Sequence, residues 1–249
     1  MPLRLSQQSI VAEGAWVAAG ESFWVARDAR QEWGKLGPVL PLILGIYDRL
    51  GNDSLRVLRH RIYTNVQLTN FDRAAVRVAA KSCSFVEGSL PKVDGQHALD
   101  VSPLSLCGSD SDLTDRHKGL FLSNSEALQF AQDLADEVPR QDEKYLCSRA
   151  VAAVLTGPTG NLIGAAINTN RINKARHAEA NLLLNWWARE RRPIPAGSVL
   201  YVTLSPCQMC AELIGLMADD AYQMSVVAAE LDPGRHGRHK ILTNLSVQS

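Results

Sequence analysis

Residues 198–231 read SVLYVTLSPCQMCAELIGLMADDAYQMSVVAAEL. Ser198–Leu204 is a continuous apolar run of strand length. Pro206–Met217 reads as a helix with proline at its favoured first position. Met224–Leu231 reads as a second strand, closed by the Asp232-Pro233-Gly234 turn. A strand–helix–strand passage implies parallel pairing and an α/β layer architecture.

The elements upstream extend that reading. Ser125–Glu137 opens on a serine cap and places Leu128, Ala131, Leu134 and Ala135 at helical spacing. Val151–Leu155 and Leu162–Ile167 flank Gly157-Pro158-Thr159-Gly160-Asn161, which predicts a β-hairpin. His177–Arg189 reads as a helix stopped by Pro193. The order is helix, hairpin, helix, strand, helix, strand.

The first half carries weaker signals. Glu21–Trp33 reads as a helix. Val39–Tyr63 reads as a hairpin around Gly51-Asn52-Asp53-Ser54, and Asp72–Cys83 as a helix. Residues 84–96 read as a loop, Ala98–Leu106 as a strand and Asp110–Asp115 as an exposed linker. This order resembles that of the second half. Two explanations stay open: a degenerate copy of one unit, or an unrelated α/β domain. The expected organisation is a non-catalytic α/β domain over 1–120 and a catalytic domain over 121–249.

Composition sets outer limits. Hydrophobic residues make up 46% and charged residues 21% of 249. Those values exclude disordered, collagenous and coiled-coil classes. Lys+Arg and Asp+Glu are both 26, with 14 basic and 13 acidic residues before residue 121. Neither half is a basic module, so nucleic-acid contact would have to come from local patches. The longest apolar stretch, Leu36–Tyr47, is too short and too proline-rich to span a membrane. Glu13 interrupts the only apolar run near the N-terminus, so no signal peptide is expected and the compartment is read as cytoplasmic. Five cysteines, an odd number, argue against a disulfide framework. Cys83, Cys107 and Cys147 read as small buried residues.

Cys207 and Cys210 differ, being three residues apart behind Pro206. Two thiolates on one turn at a helix start can reach one ion, and the positive helix end favours their ionised form. His177, at another helix start, would complete three protein ligands. Three ligands leave the fourth tetrahedral position to water, which is the catalytic arrangement for Zn2+. Zinc lowers the pKa of such a water from about 16 toward 7. Glu179 lies two residues past His177 and could take and return the proton without binding the metal. His-x-Glu followed by Pro-Cys-x-x-Cys is the signature of zinc nucleobase deaminases.

These residues resemble the zinc-dependent cytidine/deoxycytidylate deaminase superfamily over about residues 145–235. Leu200–Ala211 (LYVTLSPCQMCA) is similar to the core of tRNA adenosine deaminases, as is Val226–Ala229 followed by Asp232-Pro233. Those enzymes commonly carry Glu where Ser205 stands; Ser-Pro-Cys is more usual in cytidine-type members. Asn181 in His-Ala-Glu-Ala-Asn resembles deoxycytidylate and riboflavin-pathway deaminases. The resemblance implies a three-layer α/β/α cytidine-deaminase-like sheet in the second half. It also implies that Asn168 touches the ring or sugar, and that the Ala178 N–H and the Ser205 carbonyl flank the amidine edge of the base.

The implied activity is hydrolytic deamination of a cytosine- or adenine-type ring, releasing ammonia. A small nucleobase, nucleoside or nucleotide suits the neutral charge. The alternative is tRNA adenosine-to-inosine deamination, although only Pro233–Ser249 follow the last core strand, where tRNA enzymes carry a helical tail. A non-enzymatic zinc-bearing subunit is the third reading, and the retained Glu179 weighs against it. A homo-dimer or an internal pseudo-dimer is the expected assembly. Trp186 and Trp187 point about 100° apart, which reads as one in the core and one at an interface, with base stacking as the alternative. Arg189, Arg191, Arg192 and the Arg235–Lys240 segment read as solvated faces or as phosphate contacts.

Overall fold

The structure, a computed structural model, describes residues 14–20, 22–27, 35–88, 98–100, 113–117, 119–136, 138, 149–170, 173–234, 237 and 245–247. The chain divides into two compact units, Met1–Leu106 and Cys107–Ser249. Each is a mixed α/β unit built on a five-stranded sheet. Among the described residues no helix is long and apolar enough to cross a membrane.

The N-terminal sheet has the order β4-β3-β1-β2-β5. Its strands are β1 (Gly14–Ala19), β2 (Ser22–Arg27), β3 (Arg61–Thr64), β4 (Ser82–Phe85) and β5 (Ala98–Asp100). β1 pairs antiparallel with β2 and β3, β4 runs parallel to β3, and β5 runs parallel to β2. Three helices accompany them: α1 (Val39–Leu50), α2 (Ser54–Leu58) and α3 (Asn70–Ala79).

Three expectations for this half are corrected. The helix expected over Glu21–Trp33 is replaced by β2 at Ser22–Arg27. Its side chains alternate: Phe23 packs against Trp16 on one face, while buried Trp24 and Ala26 point to the other. The remaining residues, 28–33, lie outside the described ones. The hairpin expected over Val39–Tyr63 is instead α1, a 3-10 turn at Gly51–Asp53, α2 and β3. All nine residues from Val39 to Tyr47 are buried, so α1 shows no polar face for periodicity to detect. Pro41 is tolerated because it falls in the first turn, where the backbone N–H needs no intrahelical partner. Finally, α3 ends at Ala79, and Cys83 sits in β4 rather than in a helix.

The C-terminal sheet has the order β10-β9-β8-β6-β7. β6 (Ala152–Thr156) pairs antiparallel with β7 (Leu162–Ile167) and with β8 (Val199–Leu204). β9 (Ser225–Glu230) and β10 (Leu245–Val247) continue parallel to β8. β10 lies beyond any element expected from the sequence. The hairpin turn depends on two glycines. Gly160 adopts φ +81°, and a Cβ on Gly157 would stand 2.7 Å from Asn161 Oδ1.

Helices cover both faces of this sheet. α4 (Asn124–Asp136) packs Ala127, Leu128, Ala131 and Leu134 against Ala152, Val154, Ala165, Tyr201 and Val227. α5 (Ala178–Glu190) and α6 (Gln208–Met217) lie on the opposite face. Gly164 lets α5 approach β7, because a Cβ there would meet Leu182 Cγ at 3.3 Å. Burying a side chain such as Leu183 or Leu200 contributes about 1.5–3 kcal/mol. The result is a three-layer unit with one sheet edge left for the site.

Candidate metal centre and active site

β7, β8 and β9 end at the same edge, because β6 alone runs against them. α5 and α6 both start at that edge. His177 is the N-cap of α5, and Cys207 is the N-cap of α6. Pro206 therefore stands just ahead of the cap, not in the first helical position as expected. Both caps have extended backbone and make no side-chain capping bond. Two helix N-termini thus converge on one place, and their backbone N–H groups favour negative charge there.

His177, Cys207 and Cys210 come together at this point. The Nδ1 of His177 lies 3.4 Å from Cys207 Sγ and 3.6 Å from Cys210 Sγ. Around a tetrahedral ion with bonds of about 2.0 Å to nitrogen and 2.3 Å to sulfur, ligand N···S distances come to about 3.5 Å. The donor set and its spacing therefore fit a zinc-sized ion. Among the described residues this is the group of three whose donor atoms converge enough to hold a metal.

The charges interlock. Cys207 is held well below the usual thiol range, chiefly by the hydrogen bond from Cys210, with His177 assisting against burial. Cys210 is pushed well up by burial and by the Cys207 charge. Burial opposes a charge on His177, but Cys207, Glu179 and Asp232 outweigh it and raise the imidazole to about 9. Glu179 is only 3% exposed and shares a hydrogen bond with the Cys210 thiol. Burial raises its carboxyl to about 7, with His177 pulling the other way. A buried carboxyl in the first turn of α5 is costly.

The remaining expected contacts occupy the same edge. Ala178 is the first helical residue of α5 and is fully buried. Asn168 follows β7. Its Nδ2 donates to the Arg149 carbonyl at 2.8 Å, and its Oδ1 accepts from the Asn170 N–H. Ser205 follows β8. Its N–H donates to the Glu230 carbonyl, and its Oγ accepts from the Asp232 N–H at 2.8 Å. The Asp232 carboxylate in turn pairs with Arg149 at 2.6 Å.

Sequence reading missed Arg149, the part played by the Asp232 carboxylate, and the anchoring role of Asn181. Asn181 is fully buried, and its Nδ2 donates to the Ile167 carbonyl and to Thr169 Oγ1, both at 2.9 Å. It ties α5 to the end of β7. Only its place four residues after His177, on the same helix face, signalled this. Trp186 is buried and donates to the Arg192 carbonyl, whose guanidinium lies over the indole ring; Trp187 is part-exposed. The exposed Arg189 guanidinium donates to the Ile163 carbonyl. Most of Arg235–Lys240, and Cys107 and Cys147, lie outside the described residues.

Residues 143–249 match the family model described as Bd3614-like deaminase. This segment carries all four motif residues, His177, Glu179, Cys207 and Cys210. A curated relative, tRNA(Ile)-lysidine synthase of Deinococcus deserti, is 36% identical over 110 residues, 43% of this chain and 17% of that protein. The chain thus spans a small part of the relative it matches. Solved structures of similar outline include one from a study of A-to-I editing by tRNA:A34 deaminases (22% identity, 50% of this chain and 92% of that one, TM-score 0.37). Another is the apo dCMP deaminase of cyanophage S-TIM5 (19%, 50% and 95%, TM-score 0.37). A third is the guanine deaminase of Nitrosomonas europaea (16%, 54% and 82%, TM-score 0.39).

Proposed function

We propose that the C-terminal unit is a zinc-dependent hydrolytic deaminase that removes the ring amine of a nucleobase, nucleoside or nucleotide. One observation carries the reading: a His177–Cys207–Cys210 triangle of zinc dimensions beside a buried carboxyl, Glu179, that belongs to none of its corners. A structural zinc site has no use for that carboxyl, which counts against a purely non-enzymatic subunit.

His177 Nδ1 and the two Sγ atoms would hold the ion. When bound, zinc supplies Lewis acidity that brings a coordinated water toward ionisation near neutral pH. The chain's own residues do the rest. Glu179, with its carboxyl near neutrality, takes a proton from the water at an Oε and gives it to the ring nitrogen, then carries the proton of the newly added hydroxyl to the departing amine. Water adds across the amidine carbon and ammonia leaves. The N–H of Ala178, an N-terminal helix donor without an intrahelical partner, and the Ser205 carbonyl would orient the amidine edge. Asn168, braced by Arg149 and Asn170, would meet the ring or sugar.

A base within RNA is the second reading. It is favoured by the sequence match to a protein named as a tRNA(Ile)-lysidine synthase. Ammonia release would be measured on free bases, nucleosides, nucleotides and transcribed tRNA, with the Glu179→Ala protein as blank. Release above blank from any one class supports deamination and selects between the readings. Silence across the panel from zinc-loaded protein contradicts an enzymatic role.

A further inference from the structure

The two sheets share one pattern. In each, a hairpin lies beside a third strand that is antiparallel to the hairpin's first strand, and a fourth strand runs parallel to the third. The spatial order β4-β3-β1-β2 thus equals β9-β8-β6-β7. In each unit one long helix joins the hairpin to the third strand, and another joins the third to the fourth. By this register α1 corresponds to α5, and α3 to α6.

The correspondence reaches single positions. Cys207 is the N-cap of α6, and Cys210 is its third residue. Thr69 is the N-cap of α3, and Asp72 is its third residue. His177 is the N-cap of α5, and Glu179 its second residue; Pro38 is the N-cap of α1, and Leu40 its second. The helix starts also face each other alike. His177 Nδ1 lies 3.6 Å from Cys210 Sγ, and a Cβ on Gly37 would stand 3.3 Å from Asp72 Oδ2.

We infer that the N-terminal unit repeats the deaminase-like architecture with its chemistry removed, so that the chain carries one metal centre. Proline offers no donor where His177 stands. Leu40, 1% exposed, replaces the proton-transferring carboxyl with a core side chain. The two thiol positions carry a capping box. Thr69 Oγ1 accepts from the Asp72 N–H, and Asp72 Oδ2 accepts from the Thr69 N–H and Oγ1. That box satisfies the Thr69 and Asp72 N–H groups at the start of α3. The N-terminal unit is a scaffold.

The inference builds on the metal reading of the C-terminal unit, and the test separates the two. Metal content would be measured by elemental analysis on three full-length chains grown with zinc. Wild type is expected to hold about one zinc, and Cys207→Ser/Cys210→Ser none. Adding Pro38→His, Thr69→Cys and Asp72→Cys to that blanked chain is expected to restore about one. Zinc retained by the blanked chain at the wild-type level would overturn the inference, because the N-terminal unit would then own a ligand set. A folded rebuilt chain, checked by circular dichroism, that binds none would also overturn it. Wild type without zinc would instead overturn the C-terminal metal reading, and the rebuilt chain would still decide the N-terminal one.

Discussion

Cys210 Sγ lies 3.6 Å from Nδ1 of His177, across 33 residues of sequence and between two different helices. The pair meets because β7 and β8 run the same way and launch α5 and α6 from one sheet edge. Replacing either residue removes one corner of the proposed three-ligand site. Cys210→Ser and His177→Ala are expected to lower zinc content from about one per chain to near zero. Zinc at a hundred times its Kd is expected to stabilise wild type by about 2.7 kcal/mol, and neither variant. Urea unfolding with and without added zinc measures both.

Asn181 predicts a different phenotype. Its substitution by Leu leaves the Ile167 carbonyl without the donor it has now, at a cost of about 1–3 kcal/mol. The proposed metal ligands are untouched, so zinc stoichiometry is expected to hold while the urea midpoint falls. A loss of zinc matching that of Cys210→Ser would contradict the assignment of Asn181 as an anchor of the β7–α5 connection.

These two cases show what was legible in the sequence. The C-terminal elements were, because strand-length apolar runs alternate with helical spacing between strong turn residues such as Gly157–Asn161. The approach of His177 to Cys207 and Cys210 was, because the two thiols lie within one turn of a helix start. Asn181 and Arg149 were not: their partners are backbone carbonyls and a carboxylate brought near only by the fold. In the first half, α1 was misread because burial on every side erases the helical period, and β2 because its aromatic residues suit either structure. The position-by-position likeness of Thr69–Asp72 to Cys207–Cys210 became visible only once both helices had N-caps.

Thr69 and Arg191 carry predictions for stability. Thr69→Ala removes the capping box of α3 and is expected to cost about 1 kcal/mol. Arg191 closes α5 at φ 53°, a left-handed conformation that costs a non-glycine residue about 1–2 kcal/mol. Arg191→Gly is expected to gain about 0.5–1 kcal/mol after glycine's own entropic cost. Thermal unfolding should move in opposite directions for the two variants, with zinc content unchanged in both.

Alkaline pH should weaken the N-terminal unit. Burial pushes the Tyr47 hydroxyl to about 12, and burial together with Asp72 pushes the Cys83 thiol to about 12. In the unfolded chain these groups ionise near 10 and about 8.5. Folded pKa values above unfolded ones give stability that is full below about pH 8.5 and lost as pH rises toward 12. Urea midpoints are expected to fall between pH 8 and pH 10.5, and less steeply in a Tyr47→Phe/Cys83→Ala chain. Equal slopes in the two chains would contradict the assignment.

The central claim is that Glu179 moves the proton in a site whose metal it does not hold. The direct measurement is ammonia release by Glu179→Gln protein on the best substrate of the panel, with zinc counted on the same sample. Zinc is expected at the wild-type level, with turnover reduced by about 10²–10⁴. Full turnover by Glu179→Gln, or loss of its zinc, would contradict the account.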